Sequence, residues 1–177
     1  MKKIFSFIWE TAKIIIIASL IVAPIRYFVF QPFFVKGQSM EPNFENGDYL
    51  IVDEISFRLR SPERGEVVVL KYPNDPSQRY IKRIIGLPGE TVEIKEGKVI
   101  IGYKVLDESD YLPASTFTVG NKTMVLGPDQ YFVLGDNRIA SSDSRSWGVL
   151  PKKDIIGRAL IRAWPFAALA KFGTPVY

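Results

Sequence analysis

Tyr80-Ile81-Lys82-Arg83-Ile84-Ile85-Gly86 reads as a β-strand, isoleucine-rich, opened by an aromatic residue and closed by a glycine. Alternation puts Tyr80, Lys82 and Ile84 on one face and Ile81, Arg83 and Ile85 on the other. The same signature recurs on both sides, at 48–54 (DYLIVDE), 67–71 (VVVLK), 91–95 (TVEIK), 98–101 (KVII), 131–135 (YFVLG) and 157–164 (GRALIRAW). Short runs bounded by Gly, Pro, Asn and Asp predict a mainly β, antiparallel, barrel-like domain. Glu96-Gly97 between two of these runs reads as a hairpin turn. Residues 102–123 are the least patterned and read as a small insertion or long loop.

The chain has 177 residues, 47% of them hydrophobic, with no histidine and no cysteine. That length suits one domain with an appended segment. The double absence excludes a Ser-His-Asp triad, a thiol nucleophile, a zinc site built on His or Cys, and a disulfide framework. Proton transfer in such a chain falls to Asp, Glu, Lys or Tyr.

Residues 1–36 hold Lys2, Lys3, Lys13, Arg26 and Lys36 against Glu10 alone, which accounts for the whole net charge of +4. The remainder carries eighteen residues of each sign, so the body shows no basic excess of the kind a nucleic-acid binder needs, and no nucleic-acid partner is expected. The basic stretch is also the most apolar: Ile14 to Ile25 is free of charge, and Thr11 to Phe30, as a helix, covers ~30 Å if Lys13 and Arg26 snorkel outward. Tyr27, Phe28, Phe30, Phe33 and Phe34 fall where interfacial aromatics sit. A buried core helix and a cleaved signal peptide compete with an uncleaved anchor as readings of this stretch. Pro24 and Arg26 stand where cleavage would occur, and no small-x-small site follows the apolar run. The expectation is therefore a cytosolic N-terminus and transmembrane signal-anchor over 1–30, inserted in the cell membrane lipid as a single pass. A β-rich extracytoplasmic domain follows over 31–177.

Three segments carry chemistry. Gly37-Gln38-Ser39-Met40-Glu41-Pro42 holds a serine on a tight loop, with backbone N–H groups nearby to receive an oxyanion. Lys82 interrupts an apolar strand; burial or a neighbouring cation such as Arg83 lowers a lysine from its reference pKa of ~10.4 toward a usable base. A neutral lysine can then deprotonate a serine, the Ser-Lys variant of nucleophilic catalysis. The third segment, Gly135 to Gly148 (GDNRIASSDSRSWG), places Arg138 and Arg145 among too few carboxylates for a cation cage, and reads instead as an ion-pair network able to orient Lys82. No metal and no cofactor is expected. Trp147, Trp164 and Phe166 read as core residues.

GQSMEP, then RGEVVVLKYP with YIKRIIGLPGE, then GDNRIASSDSRSWG, in this order behind an N-terminal anchor, resemble bacterial type I signal peptidases, in particular the short Gram-positive, SipS-like form. The resemblance covers nearly the whole chain and is weakest over 102–123. It implies a membrane-anchored Ser/Lys endopeptidase that removes signal peptides from secretory preproteins after small-x-small sites. It makes Ser39 the nucleophile, Lys82 the general base and Ser141 the hydroxyl that orients the lysine. Asp136, Arg83, Asp143 and Arg145 take supporting ion-pair positions. Met40 follows the nucleophile as in the family, and Phe33, Val35, Phe44, Leu50, Val69 and Ile81 fall on positions lining the P1 and P3 pockets. Some relatives carry an oxyanion-hole serine two residues before the nucleophile; here that position is Gly37, which leaves the Ser39 N–H with a weaker or different second donor. A LexA-type self-cleaving regulator shares the dyad but needs a DNA-binding N-terminal domain, and inactive signal-peptidase-like scaffolds lack one member of the dyad.

Overall fold

A computed structural model describes residues 2–28, 30–165 and 170–171. Helix α1 (Lys2–Phe28) is followed by β1 (Phe30–Phe34), β2 (Tyr49–Asp53), α2 (Ser56–Leu59), β3 (Val67–Tyr72) and β4 (Asp75–Gly86). Next come β5 (Thr91–Lys95), β6 (Lys98–Ile101), β7 (Lys104–Val105), β8 (Lys122–Val125) and β9 (Gln130–Leu134). The short α3 (Ser144–Trp147), β10 (Leu150–Pro151), β11 (Ile155–Trp164) and β12 (Ala170–Lys171) complete the order. All strand pairs are antiparallel.

The strands form two sheets rather than one closed barrel. The first runs β1-β2-β11-β3-β4-β9-β10, with β12 on β11; the second runs β7-β6-β5-β8. The path does not close because β4 divides its pairing. Along its length it bonds β3, but β9 takes its other edge only over Arg83–Gly86, leaving 75–82 unpaired there among the described residues. The outer edge of β1 is likewise unpaired among them. The first sheet is also irregular, with register shifts in the β11–β2, β11–β3 and β4–β9 ladders, as expected where a strand must bend.

Alternation sorts the core. Val67, Ile81, Leu50 and Ala159 bury one face of the first sheet together with Val35, Met40 and Phe44 from the β1–β2 connection. Val68, Leu70, Ile84, Tyr131, Val133 and Leu150 bury a second cluster. Ile85, Phe132 and Leu134 meet Val92, Ile94 and Val99, which joins the two sheets. Glu96 and Gly97 both have positive φ, 51° and 77°, and close the β5–β6 hairpin as the sequence predicted.

Four expectations are corrected. Phe30 to Phe34, read as interfacial aromatics, form β1, and Phe33 packs against the first cluster. β4 begins five residues earlier than 80, because the polar run Asp75–Arg79 pairs with β3 despite its low β propensity. Residues 102–123 contain β7 and the start of β8. Trp147 is partly buried in the core, but Trp164 is half exposed at the end of β11, and Phe166 lies outside the described residues. α1 occupies the segment expected to be the anchor. Among the described residues, no helix is long and apolar enough to cross a membrane.

Gly157 sits where β11 meets β2: a Cβ there would lie 2.6 Å from the Asp53 carbonyl oxygen and 2.8 Å from Val52 Cγ1. Since the backbone oxygen cannot step aside without breaking the ladder, Gly157→Ala should cost about 2 kcal/mol in urea unfolding. A wild-type midpoint for that variant would show that β11 does not press against Asp53 in this register.

Candidate active site

The loop that carries Ser39 is held at both ends before it reaches the site. Val35 donates to Asp48 O at 2.9 Å and Gly47 donates back to Val35 O at 3.0 Å, so the chain folds on itself between β1 and β2. Met40 and Phe44 are fully buried anchors on either side of the turn, joined by the Phe44 N–H to Met40 O bond at 2.9 Å. Gly37, at φ 88°, adopts the left-handed conformation that glycine tolerates best, and its N–H is committed to Asn46 Oδ1 at 2.9 Å. Ser39 is thereby presented between buried residues. Its carbonyl accepts from the Asn137 N–H at 3.1 Å, which ties the loop to the segment after β9.

Lys82 enters from β4 and is only 3% exposed. Its Nζ lies 2.7 Å from Ser39 Oγ and 2.7 Å from Ile81 O, with the Tyr80 ring centroid at 5.3 Å. Burial brings its pKa down from an ordinary 10.5 to about 8. Asp143 and Asp136 oppose the shift and Arg145 adds to it.

Arg83 lies on the opposite face, as the alternation predicted. Its Nε and Nη2 donate to Asp136 Oδ1 and Oδ2 at 2.8 and 2.6 Å, and its Nη1 donates to Gly65 O at 2.8 Å. Asp143 receives Arg145 through Nε and Nη2, both at 2.8 Å, and accepts the Gly135 N–H at 3.0 Å. Burial alone would raise Asp143, but Arg145 and the Gly135 N–H hold its carboxyl below the usual range. Gly135 admits no side chain: a Cβ would collide with Ser141 Oγ and with the Ser39 carbonyl oxygen.

Ser141 reaches the site without the bond expected of it. Its Oγ is buried close to the Asp143 carboxylate but makes no hydrogen bond of good geometry among the described residues, and Lys82 is held by Ile81 O instead. Phe33, Val35, Met40, Phe44, Leu50 and Ile81 do converge, in one apolar cluster shared with Val67 and Ala159. Val69 is buried opposite Ile81 in the β3–β4 register but lies outside that cluster. A cleft of about 310 Å³ opens above these residues, between the unpaired edges of β1 and β4. Phe33, Ser39, Ile81 and Lys82 line it, and Lys36 and Arg79 bring cations to its walls.

The sequence pattern did not point to Asn43, Tyr111 or Glu108. Asn43 Nδ2 donates to both Asp136 Oδ2 and Tyr111 O at 2.8 Å, and Glu108 forms an ion pair with Arg138 at 2.5 Å. The members of these pairs lie 93, 68 and 30 residues apart, beyond the reach of any local motif. Among the described residues, no group of acidic side chains is arranged to hold a metal ion.

Residues 8–164 match the family model described as signal peptidase, peptidase S26. The probable signal peptidase I-2 of Synechocystis sp. is 41% identical over 162 residues, covering 88% of this chain and 73% of that protein. The signal peptidase I of Leptolyngbya laminosa is 38% identical over 173 residues, covering 94% of this chain and 84% of its own. That of Bacillus amyloliquefaciens is 37% identical over 176 residues, covering 94% of this chain and 93% of its own. A match spanning the β1 edge, both members of the Ser39–Lys82 pair and the arginine-clamped loop places this chain in the signal peptidase family, peptidase S26.

Proposed function

We propose that the chain is a membrane-anchored serine endopeptidase that removes N-terminal signal peptides from exported preproteins, with Ser39 as nucleophile and Lys82 as general base. One observation carries the reading: in a chain without histidine, a buried lysine amine sits 2.7 Å from a serine hydroxyl at the floor of a cleft.

The chemistry follows from that contact. With a pKa of about 8, roughly half of Lys82 is neutral at pH 8 and about a tenth at pH 7. Neutral Nζ keeps Ile81 O as an acceptor and turns its lone pair to the Ser39 hydroxyl. As Oγ attacks the substrate carbonyl, the proton passes to Nζ and the carbonyl electrons move to oxygen. The Ser39 N–H, which has no acceptor among the described residues, faces that developing charge; the Gly37 N–H is already spent on Asn46. The Lys82 ammonium then protonates the departing amine, leaving an acyl ester on Ser39. Water, deprotonated by the regenerated lysine, releases the signal peptide and frees the serine. Ser141 Oγ, a buried oxygen with spare hydrogen-bonding capacity, is suited to hold a further amine hydrogen as the site closes on substrate.

Substrate binds as an added strand between the free edges of β1 and β4. Alternate side chains would then point at the cluster of Phe33, Val35, Leu50 and Ile81, a wall that leaves room for small residues at P1 and P3. The anchor reading rests on α1, whose Ile14, Ile15, Ile16, Ile17 and Leu20 are all more than half exposed. That density of bare apolar surface suits lipid better than water. Lys2, Lys3 and Lys13 on the N-terminal flank of this helix favour a cytosolic N-terminus, with the β body outside. A tethered protease then meets preproteins within the membrane plane, at a raised effective concentration.

Incubated with a preprotein, the enzyme should give a product whose N-terminal sequence begins after a small-x-small site. Ser39→Ala and Lys82→Ala should each abolish that product while leaving the unfolding midpoint close to wild type. Lys82→Arg should fail as well, since a guanidinium stays protonated. Normal cleavage by Ser39→Ala would remove the serine from the mechanism. The rate should climb about tenfold per pH unit below the lysine pKa, reach half its maximum near pH 8 and level off above it, because only the amine form accepts the proton. A plateau reaching down to pH 5 would exclude Lys82 as the base. In cells, the protein should resist alkaline extraction from membranes, and protease added outside the membrane should digest the body. Recovery in the soluble fraction would refute the anchor.

A further inference from the structure

The excursion between β7 and β8, lacking regular strands over 106–121, is where the sequence is least patterned, yet it sends three lines of contact to the residues that surround the Ser39–Lys82 pair. Arg138, on the loop after β9, is 3% exposed. Its Nη1 and Nη2 donate to Glu108 Oε2 and Oε1 at 2.9 and 2.5 Å, Nη1 also donates to Thr118 Oγ1 at 2.5 Å, and Nε donates to Gly135 O at 3.0 Å. A second line runs through Tyr111: its ring covers the Arg83 guanidinium at 4.0 Å, and its carbonyl accepts from Asn43 on the nucleophile loop. A third links Arg145 Nη1 to Val119 O at 3.3 Å and to Arg138 O at 2.6 Å.

We propose that this excursion is a clamp that sets the geometry of the Ser39–Lys82 pair, with Glu108 and Arg138 as its positioning residues. The proposal rests on the Ser39–Lys82 dyad as the catalytic pair. Arg138 reaches the site through Gly135, where slack is least tolerated: this backbone is packed against both Ser141 Oγ and the Ser39 carbonyl, and its N–H holds Asp143. Without Glu108, Arg138 becomes a buried cation lacking its carboxylate; it must turn toward solvent and let go of Gly135 O. A displacement of about 1 Å at a reacting pair costs on the order of a hundredfold in rate. Glu108 and Arg138 are absent from the lining of the cleft between β1 and β4, so the loss should fall on turnover and leave substrate binding alone.

The test compares full-length wild type, Glu108→Gln and Glu108→Asp in cleavage of one preprotein-derived peptide. Glu108→Gln should lower kcat about 10- to 100-fold with KM within about twofold. Its acid limb should move to higher pH, because water admitted beside Lys82 relieves the burial that depresses the amine. The groups facing that amine are Asp136 and Asp143 on the loop after β9, Arg145 in α3, Tyr80 on its own strand and Ser39. Glu108→Asp should recover part of kcat. Leu150→Ala, which opens a cavity in the core cluster around Tyr131 and Val133 and away from the excursion, controls for lost stability and should keep wild-type kcat and limb where it is folded. An unchanged kcat and limb in Glu108→Gln, or the same losses in Leu150→Ala, would overturn the clamp. If Glu108→Gln does not fold, Thr118→Val removes one contact to Arg138, and its kcat should fall about threefold at constant KM; no change there would overturn the clamp equally. Ser39→Ala assayed in parallel separates the two readings, since cleavage by that variant would defeat the dyad rather than the clamp.

Discussion

A lysine amine held out of water beside a serine hydroxyl is the constraint that the rest of the structure answers to. Bringing Lys82 from 10.5 to about 8 corresponds to roughly 3 kcal/mol against the ammonium. Two carboxylates stand near enough to undo that effect, yet Asp136 is bound by Arg83 and Asp143 by Arg145, each through two nitrogens. Each carboxylate thus arrives with its own cation, and burial decides the outcome. Buried ion pairs are weak evidence of stability, because desolvation consumes most of their attraction. In this molecule they supply fixed geometry and a nearly balanced local charge.

The unfinished first sheet serves the same constraint. Free strand edges invite unwanted pairing, and proteins usually protect them with charge or cover. The free edge of β4 carries Ser77, Gln78 and Arg79, polar residues that discourage a second β4 from docking, while the backbone at Ile81 and Lys82 is left without a second strand partner among the described residues. β1 faces it across the cleft, with Phe33 and, just past the strand, Val35 turned toward the core. The gap that prevents a barrel from closing leaves two unpaired strand edges facing one cleft, the place proposed above for the substrate strand.

The main strands were legible because alternation is a local property. The runs at 67–71, 91–95 and 98–101 needed only their own residues and turn glycines to declare themselves. β1 was not: Phe30-Gln31-Pro32-Phe33-Phe34 has the composition of a membrane interface as much as of a strand, and only pairing with β2 distinguishes them. The opposite facing of Lys82 and Arg83 followed from strand geometry, whereas the choice of which basic residue meets Ser39 did not. The bond from Lys82 to Ile81 O, one peptide away, was likewise not legible, since any strand lysine has that carbonyl beside it and only burial makes it the nearest acceptor.

By itself, the amino-acid sequence determined which chemistries are excluded and the strand-rich body: lacking histidine and cysteine, it ruled out imidazole and thiol catalysis, and its short apolar runs admitted little besides antiparallel sheet. It also confined the net positive charge, and the longest apolar run, to one end. Tertiary structure decided what depends on distance through space. Ser39 and Lys82 are 43 residues apart, and Glu108 and Arg138 30 apart. Such pairs leave no periodic mark, because hydrophobic patterning records which face of an element is buried and carries no information about which buried faces will meet.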